Sequence, residues 1–330
     1  MNSPESRSAV DPLLSVVICV KDGRPYLPGL YESLTRLEEP QGGFEVVFVD
    51  DQSRDRTAEF LADIAARDRR LRIVRGRGLG LAAARNDGIA NARGRFIALT
   101  DADVIPDQDW LVQIERFVHR KGVRAIEGVV DPWSGNGSPL IRNVQNQDGG
   151  RFMTANMVYE KALLDEIGGF DENFRPPCFL EDTELAYRTL DRGVHIPFVT
   201  EVRVRHRDVP LSPSAALKSL AGLEWMALVA RKHPKRYRQQ LRGKIQTLRP
   251  GDLELLLSLS LLARRRASLS ERVVGAALIG IALRRVLRVA QINHIPRAER
   301  LPWFGVALAS PGLRAFHLVK GWVRFRKVAL

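Results

Sequence analysis

The chain has 330 residues, 45% of them hydrophobic, and is long enough to bury a core as one domain or as a catalytic domain with an appendage. Its two cysteines, Cys19 and Cys178, exclude more than one disulfide and have no Cys or His neighbour at metal-ligand spacing, which favours a reduced compartment. Residues 1–12 contain two acidic residues and no apolar core, so we expect a flexible N-terminus without a secretory signal and a cytoplasmic location.

The net charge of +13 is unevenly distributed along the chain. Residues 201–330 contain 26 Lys and Arg against 7 Asp and Glu, whereas the first 200 residues contain 25 basic and 31 acidic residues. Such a basic C-terminal part suits an anionic partner, either the phosphates of a membrane face or those of a nucleic acid. A solvated surface is the alternative interpretation.

Short apolar runs alternate with helical patterns in the first part of the chain. Four runs predict buried strands: Ser15–Val20, Phe44–Val49, Leu71–Val74 and Phe96–Thr100. Three segments between them have apolar residues at helical spacing and predict helices: Tyr26–Leu37, Thr57–Ala66 and Leu81–Ala92. This β-α-β order predicts an α/β fold with a mixed, mainly parallel sheet covered by helices.

Polar clusters follow three of the predicted strands. These clusters are Lys21-Asp22-Gly23, Asp50-Asp51-Gln52-Ser53 and Asp101-Ala102-Asp103. Because ligands of such sheets bind at the carboxyl ends of the strands, we expect the three clusters to meet in one cleft.

The pair Asp101 and Asp103 is the first candidate for chemistry. Two carboxylates one residue apart at a strand end point the same way, and their repulsion is costly unless a cation neutralises it. Oxygen ligands at an open site suit Mg²⁺ or Mn²⁺ bridging a substrate diphosphate. The alternative is a turn with a helix cap, because Pro106 and Asp107 are predicted to begin a helix directly afterwards.

Two further elements support a phosphate-binding or nucleotide-binding site. Asp55 or Ser53 can cap the helix that follows the second strand, which leaves Asp51 able to accept hydrogen bonds from a base or a ribose. On the third predicted helix, Arg85 is placed to approach a phosphate, or else it pairs with a surface carboxylate, and Asn86 is placed to fix the adjoining loop.

The segment 131–139 is rich in Gly, Pro and Ser and predicts a long loop that acts as a mobile flap. Trp133 in this loop either stacks on a sugar or packs on its own loop. Beyond Ser212 only helices are predicted, and the domain boundary is placed near residue 210. The predicted helices are 215–232, 252–266, 271–292 and 314–327.

Two apolar stretches in the tail, 253–263 and 273–283, are each about eleven residues long, whereas a membrane span needs about twenty. Flanking arginines, Arg284, Arg285 and Arg288, suggest helices that lie on an anionic membrane surface. The alternative is a helical domain whose apolar faces pack on each other.

The motifs taken together resemble the family 2 glycosyltransferases. The sequences SVVICV, VDDQSRDRT, AARN and DAD occur in the order and at the spacing of that family, and MTANMVYEKALLDEIGGFDENF and LEDTELAYR resemble its acceptor-side segments. The similarity covers residues 13–210. It implies a GT-A fold, an inverting reaction with a nucleotide-sugar donor and a divalent metal, Mn²⁺ or Mg²⁺.

The resemblance also implies roles for single residues on the donor side. Asp103 is the implied metal ligand, and Asp101 the partner of the ribose or of the metal's water. Asp22 and Asp51 would face the nucleobase, with Arg85 and Asn86 also on the donor side. Cys19 stands in the nucleotide pocket where the family often has Pro.

On the acceptor side, Glu181 and Asp182 resemble the catalytic acidic pair of the family. Because neighbouring helical side chains diverge by about 100°, only one of them can face the cleft, and we choose Asp182 as the general base. Its alternative role is N-cap of a helix over Thr183–Arg192. Asn156 and Trp133 are the candidate acceptor contacts.

His206 ends an alternating run in which it shares a face with Val202 and Val204 and points inward. A core histidine is one interpretation of this position. The resemblance implies the other, a histidine that completes the metal site.

These inferences predict a catalytic domain over residues 13–210 and a helical basic region over 211–330 that is associated with a membrane. The expected donor is a UDP-sugar, and the expected acceptor is a hydroxyl of a glycan or of a lipid-linked or other glycoconjugate. We expect an anionic membrane surface, at the inner face of the cell membrane, and no nucleic acid among the partners.

Two competing hypotheses remain open. Gly78-Leu79-Gly80 with the following alanines fits the G-x-G-x-x-A pattern of an NAD(P)-dependent oxidoreductase, with Asp101 about twenty residues further on. The basic tail suggests a non-enzymatic nucleic-acid-binding protein, although no recognised nucleic-acid module accompanies it.

Overall fold

The structure is a computed structural model that describes residues 11–134, 140–241, 256–258, 260–261, 264, 268–292 and 297–326. The chain forms two compact units. The N-terminal unit comprises the residues up to Pro132 together with Val144–Arg175 and Glu181–Arg207. The C-terminal unit comprises Trp133–Asn143, Pro176–Leu180 and the residues from Asp208 onward.

The first part of the chain alternates strands and helices, as the apolar periodicity predicts. The elements are β1 (Leu14–Val20), α1 (Leu27–Thr35), β2 (Phe44–Asp50), α2 (Thr57–Arg67), β3 (Leu71–Arg75), α3 (Leu81–Asn91) and β4 (Phe96–Asp101). Strands β1 and β2 are buried along almost their whole length, because helices cover both faces of a parallel sheet.

The second part of the N-terminal unit completes the sheet with shorter and less regular elements. These are β5 (Val104–Pro106), α4 (Trp110–Val118), β6 (Ala125–Pro132), a 3₁₀ turn (Thr154–Asn156), β8 (Met157–Glu160), α5 (Lys161–Ile167), α6 (Glu181–Asp191) and β9 (Phe198–His206). Strand β7 (Ile141–Arg142) lies between β6 and β8 in the chain and belongs to the C-terminal unit.

The eight strands of the N-terminal unit are ordered β3-β2-β1-β4-β8-β6-β9-β5. Strand β1 pairs in parallel with β2 and β4, and β2 pairs in parallel with β3. Strand β8 is antiparallel to both β4 and β6, and β5 is antiparallel to β9. The prediction of a mixed, mainly parallel sheet covered by helices is confirmed.

Helix α3 packs unusually close to the sheet because its contact position is a glycine. A Cβ atom built on Gly88 would lie 2.4 Å from a methyl of Val17 and 3.0 Å from one of Val49. Ala84, one turn before Gly88 and buried, places another small side chain on the same face of the helix. The small side chains thus bring the start of α3, including Arg85, against the strand ends.

One sequence prediction at the Asp101–Asp103 segment is wrong. Instead of beginning a helix, Pro106 ends strand β5, whose residues pair with β9, and helix α4 begins only at Trp110. Proline at the end of a short edge strand has no ladder hydrogen bond to lose, so strand pairing prevails here over the helix signal.

The C-terminal unit contains β7, its antiparallel partner β10 (Val209–Pro210), and helices. The helical elements are α7 (Pro213–Ser219), a 3₁₀ helix (Leu220–Glu224), α8 (Trp225–Lys232), α9 (Pro234–Arg236), a π-helical turn (Tyr237–Leu241), α10 (Leu269–Ile292) and α11 (Arg297–Arg324). In the described part of the chain, none of the helices is both long and apolar enough for a membrane crossing.

The helices predicted for the tail differ from the observed ones in their ends, and the single helix predicted over 215–232 is divided into α7, the 3₁₀ helix and α8. The predicted helix over 314–327 is the second half of α11, which starts at Arg297 and continues through Pro302 and Pro311. Most of the predicted helix 252–266, with the apolar stretch 253–263, lies outside the described residues, as do residues 1–10 of the predicted flexible N-terminus and residues 135–139 of the predicted flap.

A buried carboxylate joins the 3₁₀ helix to α11. Glu224 is 3% exposed, and its Oε1 lies 2.8 Å from Nδ1 of His317 and 2.7 Å from Nζ of Lys320. Burial by itself raises the pKa of Glu224, but the hydrogen bonds from Lys320 and His317 hold it below its usual value. The charged form of Glu224 is therefore favoured in the folded protein.

Replacing Glu224 by Ala is expected to lower the free energy of unfolding by about 2 kcal/mol, because the hydrogen bonds of the buried carboxylate to Lys320 and His317 are lost. Since the folded-state pKa is depressed, the stabilisation is present at neutral pH and is lost as the pH falls through that pKa. Urea unfolding at two pH values measures both effects. An exposed control, Glu201→Ala, should leave stability unchanged, and equal midpoints for the two variants would contradict this role.

Candidate active site

The carboxyl ends of three parallel strands meet at one edge of the sheet. In the register of β1, Cys19 lies opposite Val49 on β2 and Asp101 on β4. Asp51 follows β2 directly, so the polar residues after β1, β2 and β4 are neighbours in space. The sequence predicted that the three polar clusters lie close together, and the parallel pairing of these strands explains why they do.

The turns after β1 and β2 hold each other through hydrogen bonds. The backbone N–H of Asp22 donates to Oγ of Ser53 over 2.9 Å, and Oδ1 of Asp22 accepts from the N–H of Arg54 over 2.7 Å. Asp55 accepts hydrogen bonds from Thr57 and from the N–H of Arg24, and despite partial burial these bonds lower its pKa. The Asp22 side chain thus orients the second turn.

Asp51 is almost fully buried behind this pair of turns. It is 4% exposed, its Oδ1 accepts the N–H of Gly78 over 2.7 Å, and its Oδ2 lies 3.8 Å from Nζ of Lys21. Gly78 has φ +70°, and a Cβ there would come within 2.5 Å of the Gln52 side chain. The G-x-G loop is therefore shaped to reach Asp51.

Cys19 lies beneath the same turns. Burial raises the pKa of its thiol to about 12, partly opposed by the positive charge of Arg85. The thiol is protonated at neutral pH, so Cys19 offers the pocket a small neutral side chain and no nucleophile.

Arg85 joins the donor side of the site to the acidic pair. Its guanidinium is 2.7 Å from Oε1 of Glu181 and 3.3 Å from Oδ1 of Asp101, and the residue is only 4% exposed. Burial disfavours its charge, but Glu181 and Asp101 raise the pKa of Arg85 above its usual value. The pairing carboxylate Glu181 is buried, whereas the alternative interpretation expected a surface one.

Asn86 is bonded to the loop that follows α5. Its side-chain amide donates to the carbonyl of Phe170 and to Glu172, and its oxygen accepts the N–H of Phe170 over 2.8 Å. The suggestion that Asn86 fixes a loop agrees with these contacts. The loop concerned is the Gly168–Glu172 segment, which the sequence alone did not indicate.

Asn156, which was predicted together with Trp133 to contact the acceptor, lies in the core and is 1% exposed. Its amide nitrogen donates to the carbonyls of Val129 and Val202, and its oxygen accepts the indole N–H of Trp110. Because the whole amide is used inside the protein, an acceptor contact for Asn156 is not retained. Trp133 is 51% exposed and belongs to the C-terminal unit.

Three potential metal ligands converge beside the end of β4. Ligand atoms of Asp101, Asp103 and His206 all lie within 4.8 Å of one another, and Nε2 of His206 is 3.4 Å from Oδ1 of Asp103. The pairing of β5 with β9 places Val104 opposite His206, and the N–H of Arg207 donates to the carbonyl of Asp103. Strand pairing brings together residues separated by about a hundred positions.

The donor chemistry of this cluster fits a divalent cation. Nδ1 of His206 lies 2.9 Å from the carbonyl of Arg207, and Nε2 faces Oδ1 of Asp103 at 3.4 Å. The two aspartates offer oxygen ligands and His206 offers a nitrogen ligand within one small volume. Such a ligand set fits a divalent cation.

The acidic pair lies in the first turn of α6, which begins at Glu181, two residues earlier than predicted. Glu181 is buried and bound to Arg85, whereas Asp182 is partly exposed and accepts the N–H of Thr183 over 2.6 Å. Burial and the neighbouring Glu181 carboxylate raise the pKa of Asp182 to about 7, against the opposing charge of Arg85. The two side chains diverge, as helical geometry requires.

Glu127, in the middle of β6, is a residue that the sequence analysis missed. Its buried carboxylate accepts the side-chain amide of Asn146 and the backbone N–H groups of Gly150, Arg151 and Phe152, over 2.6 to 2.9 Å. Phe152 has φ +56°, a strained conformation for a non-glycine residue. A charged residue inside the apolar run AIEGVV was the available signal.

The turn that Glu127 holds is hydrogen-bonded to the first turn of the helix that carries Glu181 and Asp182. The carbonyl of Arg151 accepts the hydroxyl of Thr183, and the backbone N–H of Thr183 donates to Asp182. The turn held by Glu127 therefore supports the carboxylate that has the raised pKa.

The mixed, mainly parallel sheet covered by helices is a GT-A-type fold. The sequence profile described as Glycosyl transferase family 2 matches residues 15–176. Residues 15–176 are therefore a domain of this family.

The similarity to individual proteins is partial in sequence and extensive in structure. The beta-monoglucosyldiacylglycerol synthase of Nostoc sp. is 29% identical over 119 residues, which are 35% of this chain and 25% of that protein. The chain thus matches about a quarter of the length of its first curated relatives.

Two solved structures share the fold over nearly the whole chain. The mannosyltransferase PcManGT from Pyrobaculum calidifontis, in complex with GDP-Man and Mn²⁺, has a TM-score of 0.58 at 16% identity, over 95% of this chain and 88% of that one. TarS 1–349 of S. aureus, in complex with UDP-GlcNAc, has a TM-score of 0.52 at 16% identity, over 94% and 91%.

Proposed function

We propose that the chain is an inverting glycosyltransferase that moves a sugar from a nucleoside-diphosphate donor to an acceptor hydroxyl. The observation that supports this most is the convergence of Asp101, Asp103 and His206 beside the Arg85–Glu181 pair and Asp182. A diphosphate-binding group and a carboxylate with a raised pKa are the two parts that single displacement requires. The family and the two nucleotide-sugar complexes with the same fold agree with it.

A divalent cation, Mn²⁺ or Mg²⁺, would be held by Asp103 and His206, with Asp101 as a further ligand or as the partner of ribose or bound water. When bound, such an ion neutralises negative charge on the leaving nucleoside diphosphate. Arg85 orients Asp101 from the opposite side through the 3.3 Å contact. The nucleobase would lie towards Asp22 and Asp51, above Cys19, and we favour a UDP-sugar.

Asp182 is the proposed general base. The acceptor oxygen attacks the anomeric carbon, its proton passes to the Asp182 carboxylate, and the bond between the anomeric carbon and the diphosphate oxygen breaks. Glu181 remains bound to Arg85 and keeps Asp182 in position. One carboxylate at the reacting face suffices, whereas glycoside hydrolases use two.

The pH dependence of the reaction follows from this assignment. Because the pKa of Asp182 is raised to about 7, the base form is lost below that pH, and kcat/KM should fall about tenfold for each further pH unit. Above the pKa, kcat/KM should reach a plateau. Initial rates between about pH 5.5 and about pH 8.5 test this, and a flat profile across that range would contradict the assignment.

Glu127 acts as a positioning residue in this proposal. Glu127→Gln replaces an acceptor oxygen by an N–H₂ group that faces backbone donors, so the 150–152 turn should shift and kcat should fall by about 10²-fold. Donor affinity should stay unchanged, because the donor residues lie on other elements. Titration calorimetry with UDP and turnover measured together separate the two effects, and equal losses in both would indicate general unfolding.

The acceptor is proposed to be a glycan or a lipid-linked glycoconjugate, with Trp133 as a candidate stacking surface. Peripheral attachment to the inner face of the cell membrane would bring the site to a lipid-linked acceptor. One sequence relative, the beta-monoglucosyldiacylglycerol synthase, is named for a lipid product.

The decisive experiment is a screen of nucleotide sugars with Mn²⁺ or Mg²⁺ for released nucleoside diphosphate. We expect turnover with one or a few UDP-sugars and loss of turnover with EDTA. Inactivity with all nucleotide sugars, combined with tight binding of NAD(P), would replace this proposal by the oxidoreductase hypothesis. A nucleic-acid complex that survives Asp103→Ala and weakens steeply with salt would favour the nucleic-acid hypothesis.

A further inference from the structure

Helix α11 is held along one side by the C-terminal unit. Trp303 and Val306 are 2% and 3% exposed and form an apolar cluster with Leu140 and Ala216. Near the end of the helix, Phe325 stacks against Trp225, with 5.4 Å between the ring centres. These contacts fix the rotation of the helix about its axis.

The opposite side of α11 is apolar and exposed. Large side chains that are between 40% and 82% exposed repeat along it: Leu301, Leu308, Phe316, Val319 and Val323. At 3.6 residues per turn these positions fall within a sector of about 80°. Gly305 and Gly312 occupy the same sector, and no polar or charged residue lies in it between Leu301 and Val323. We call this sector the outer face of α11.

Cationic and aromatic residues border the outer face near its C-terminal end. Lys320, about half exposed, lies on one border, and Trp322, 48% exposed, lies on the other. Arg324 is also about half exposed and lies beyond Lys320, further round the helix towards the packed side. Both cations also reach the buried Glu224, which holds them beside the apolar surface. An apolar stripe with a basic and aromatic border is the pattern of helices that lie at a membrane interface.

We infer that the outer face of α11 docks on an anionic lipid bilayer, with the helix axis in the membrane plane. Its apolar side chains would enter the boundary between headgroups and acyl chains, and the bordering cations would contact lipid phosphates. The excess of basic residues in 201–330 also favours an anionic partner. This inference deepens the membrane part of the proposed function and does not depend on the donor site.

A lipid partner suits the outer face better than a second copy of the chain. In a two-fold symmetric dimer the same patch meets itself, which would bring the bordering lysine and arginine of one copy close to those of the other. Anionic headgroups instead complement these charges. Binding to vesicles would indicate a lipid partner, whereas a change from dimer to monomer in the variants would indicate a second copy of the chain.

The test uses the full chain with vesicles of phosphatidylcholine containing about 30% phosphatidylserine, and with pure phosphatidylcholine vesicles. Wild type should cosediment with the anionic vesicles, and less so in high salt. Phe316→Glu and Val319→Glu, which put carboxylates on the outer face, should each weaken binding by about tenfold or more. The matched control Ile73→Glu changes a partly exposed apolar residue of β3 in the N-terminal unit and should bind like wild type.

Tryptophan fluorescence reports the docking directly. Trp110, Trp225 and Trp303 are at most 3% exposed, so Trp322 and Trp133 are the tryptophans able to respond to lipid. In a Trp133→Phe background, anionic vesicles should shift the emission to shorter wavelength, and Trp322→Phe should abolish the shift.

Unchanged vesicle binding in both glutamate variants, with normal circular dichroism, would overturn the inference. So would variants that only convert a dimer into a monomer, because the outer face would then be a protein interface. Donor affinity, measured by calorimetry with UDP in the same variants, should equal that of wild type. Loss of vesicle binding with retained donor affinity supports the inference whether or not a transferase activity is found.

Discussion

Replacing Asp182 by Asn is expected to lower the rate of sugar transfer by about 10²- to 10⁴-fold while donor binding is retained. The amide has nearly the same size but cannot take the proton of the acceptor hydroxyl. Asp182 is also one residue removed from the Arg85–Glu181 ion pair, so its substitution leaves that pair intact. Single-turnover rates and calorimetry with UDP in the presence of Mn²⁺ provide the two readouts.

Two control variants define the outcome for Asp182. Asp191→Asn, at the exposed end of the same helix, should transfer at the wild-type rate. Glu181→Gln weakens the buried pair with Arg85 and should lower both stability and turnover. Full turnover in Asp182→Asn together with an inactive but folded Glu181→Gln would transfer the role of base to Glu181.

Replacing Asp103 by Ala is expected to lower the metal-dependent affinity for the donor by more than about 100-fold, because loss of groups that merely orient a ligand already costs 10- to 100-fold. His206→Ala should have a similar but smaller effect, since the carboxylates remain. Binding of Mn²⁺ followed by electron paramagnetic resonance, without any sugar, measures the ion directly.

The control for the metal cluster is Asp107→Asn, an exposed carboxylate beyond β5. It should bind Mn²⁺ and donor as wild type does. The proposed ligand set would be wrong if Asp103→Ala and His206→Ala both bound Mn²⁺ with unchanged affinity. Loss of Mn²⁺ binding with retained affinity for UDP would show that the donor is held mainly by the turns around Asp22 and Asp51.

Much of the N-terminal unit was predictable because its signals are local. The apolar runs of β1, β2 and β4 and the amphipathic pattern of α2 each lie within about ten residues, and their ends were predicted to within one or two positions. The local signal for a helix start failed at Pro106, where pairing with β9, about a hundred residues away in the chain, forms a strand.

The candidate site was predictable to the extent that it consists of strand ends. The order of motifs indicated Asp101, Asp103, Asp182 and His206. The distances between these side chains could not be predicted from the sequence, because they depend on how β5, β9 and α6 pack. The same limit applies to Asn156. Its position in the motif suggested a contact with the acceptor, but its side chain hydrogen-bonds to three elements of the core.

The sequence by itself determined the family, the α/β class and the residue types available at the strand ends, because motif order and hydrophobic period are properties of the chain. Only the tertiary structure decided that Arg85 pairs with Glu181, that Glu127 holds the 150–152 turn, and that one face of α11 stays apolar and exposed. Burial, charge pairing and pKa depend on which distant residues come together. Those contacts exist only in the folded chain.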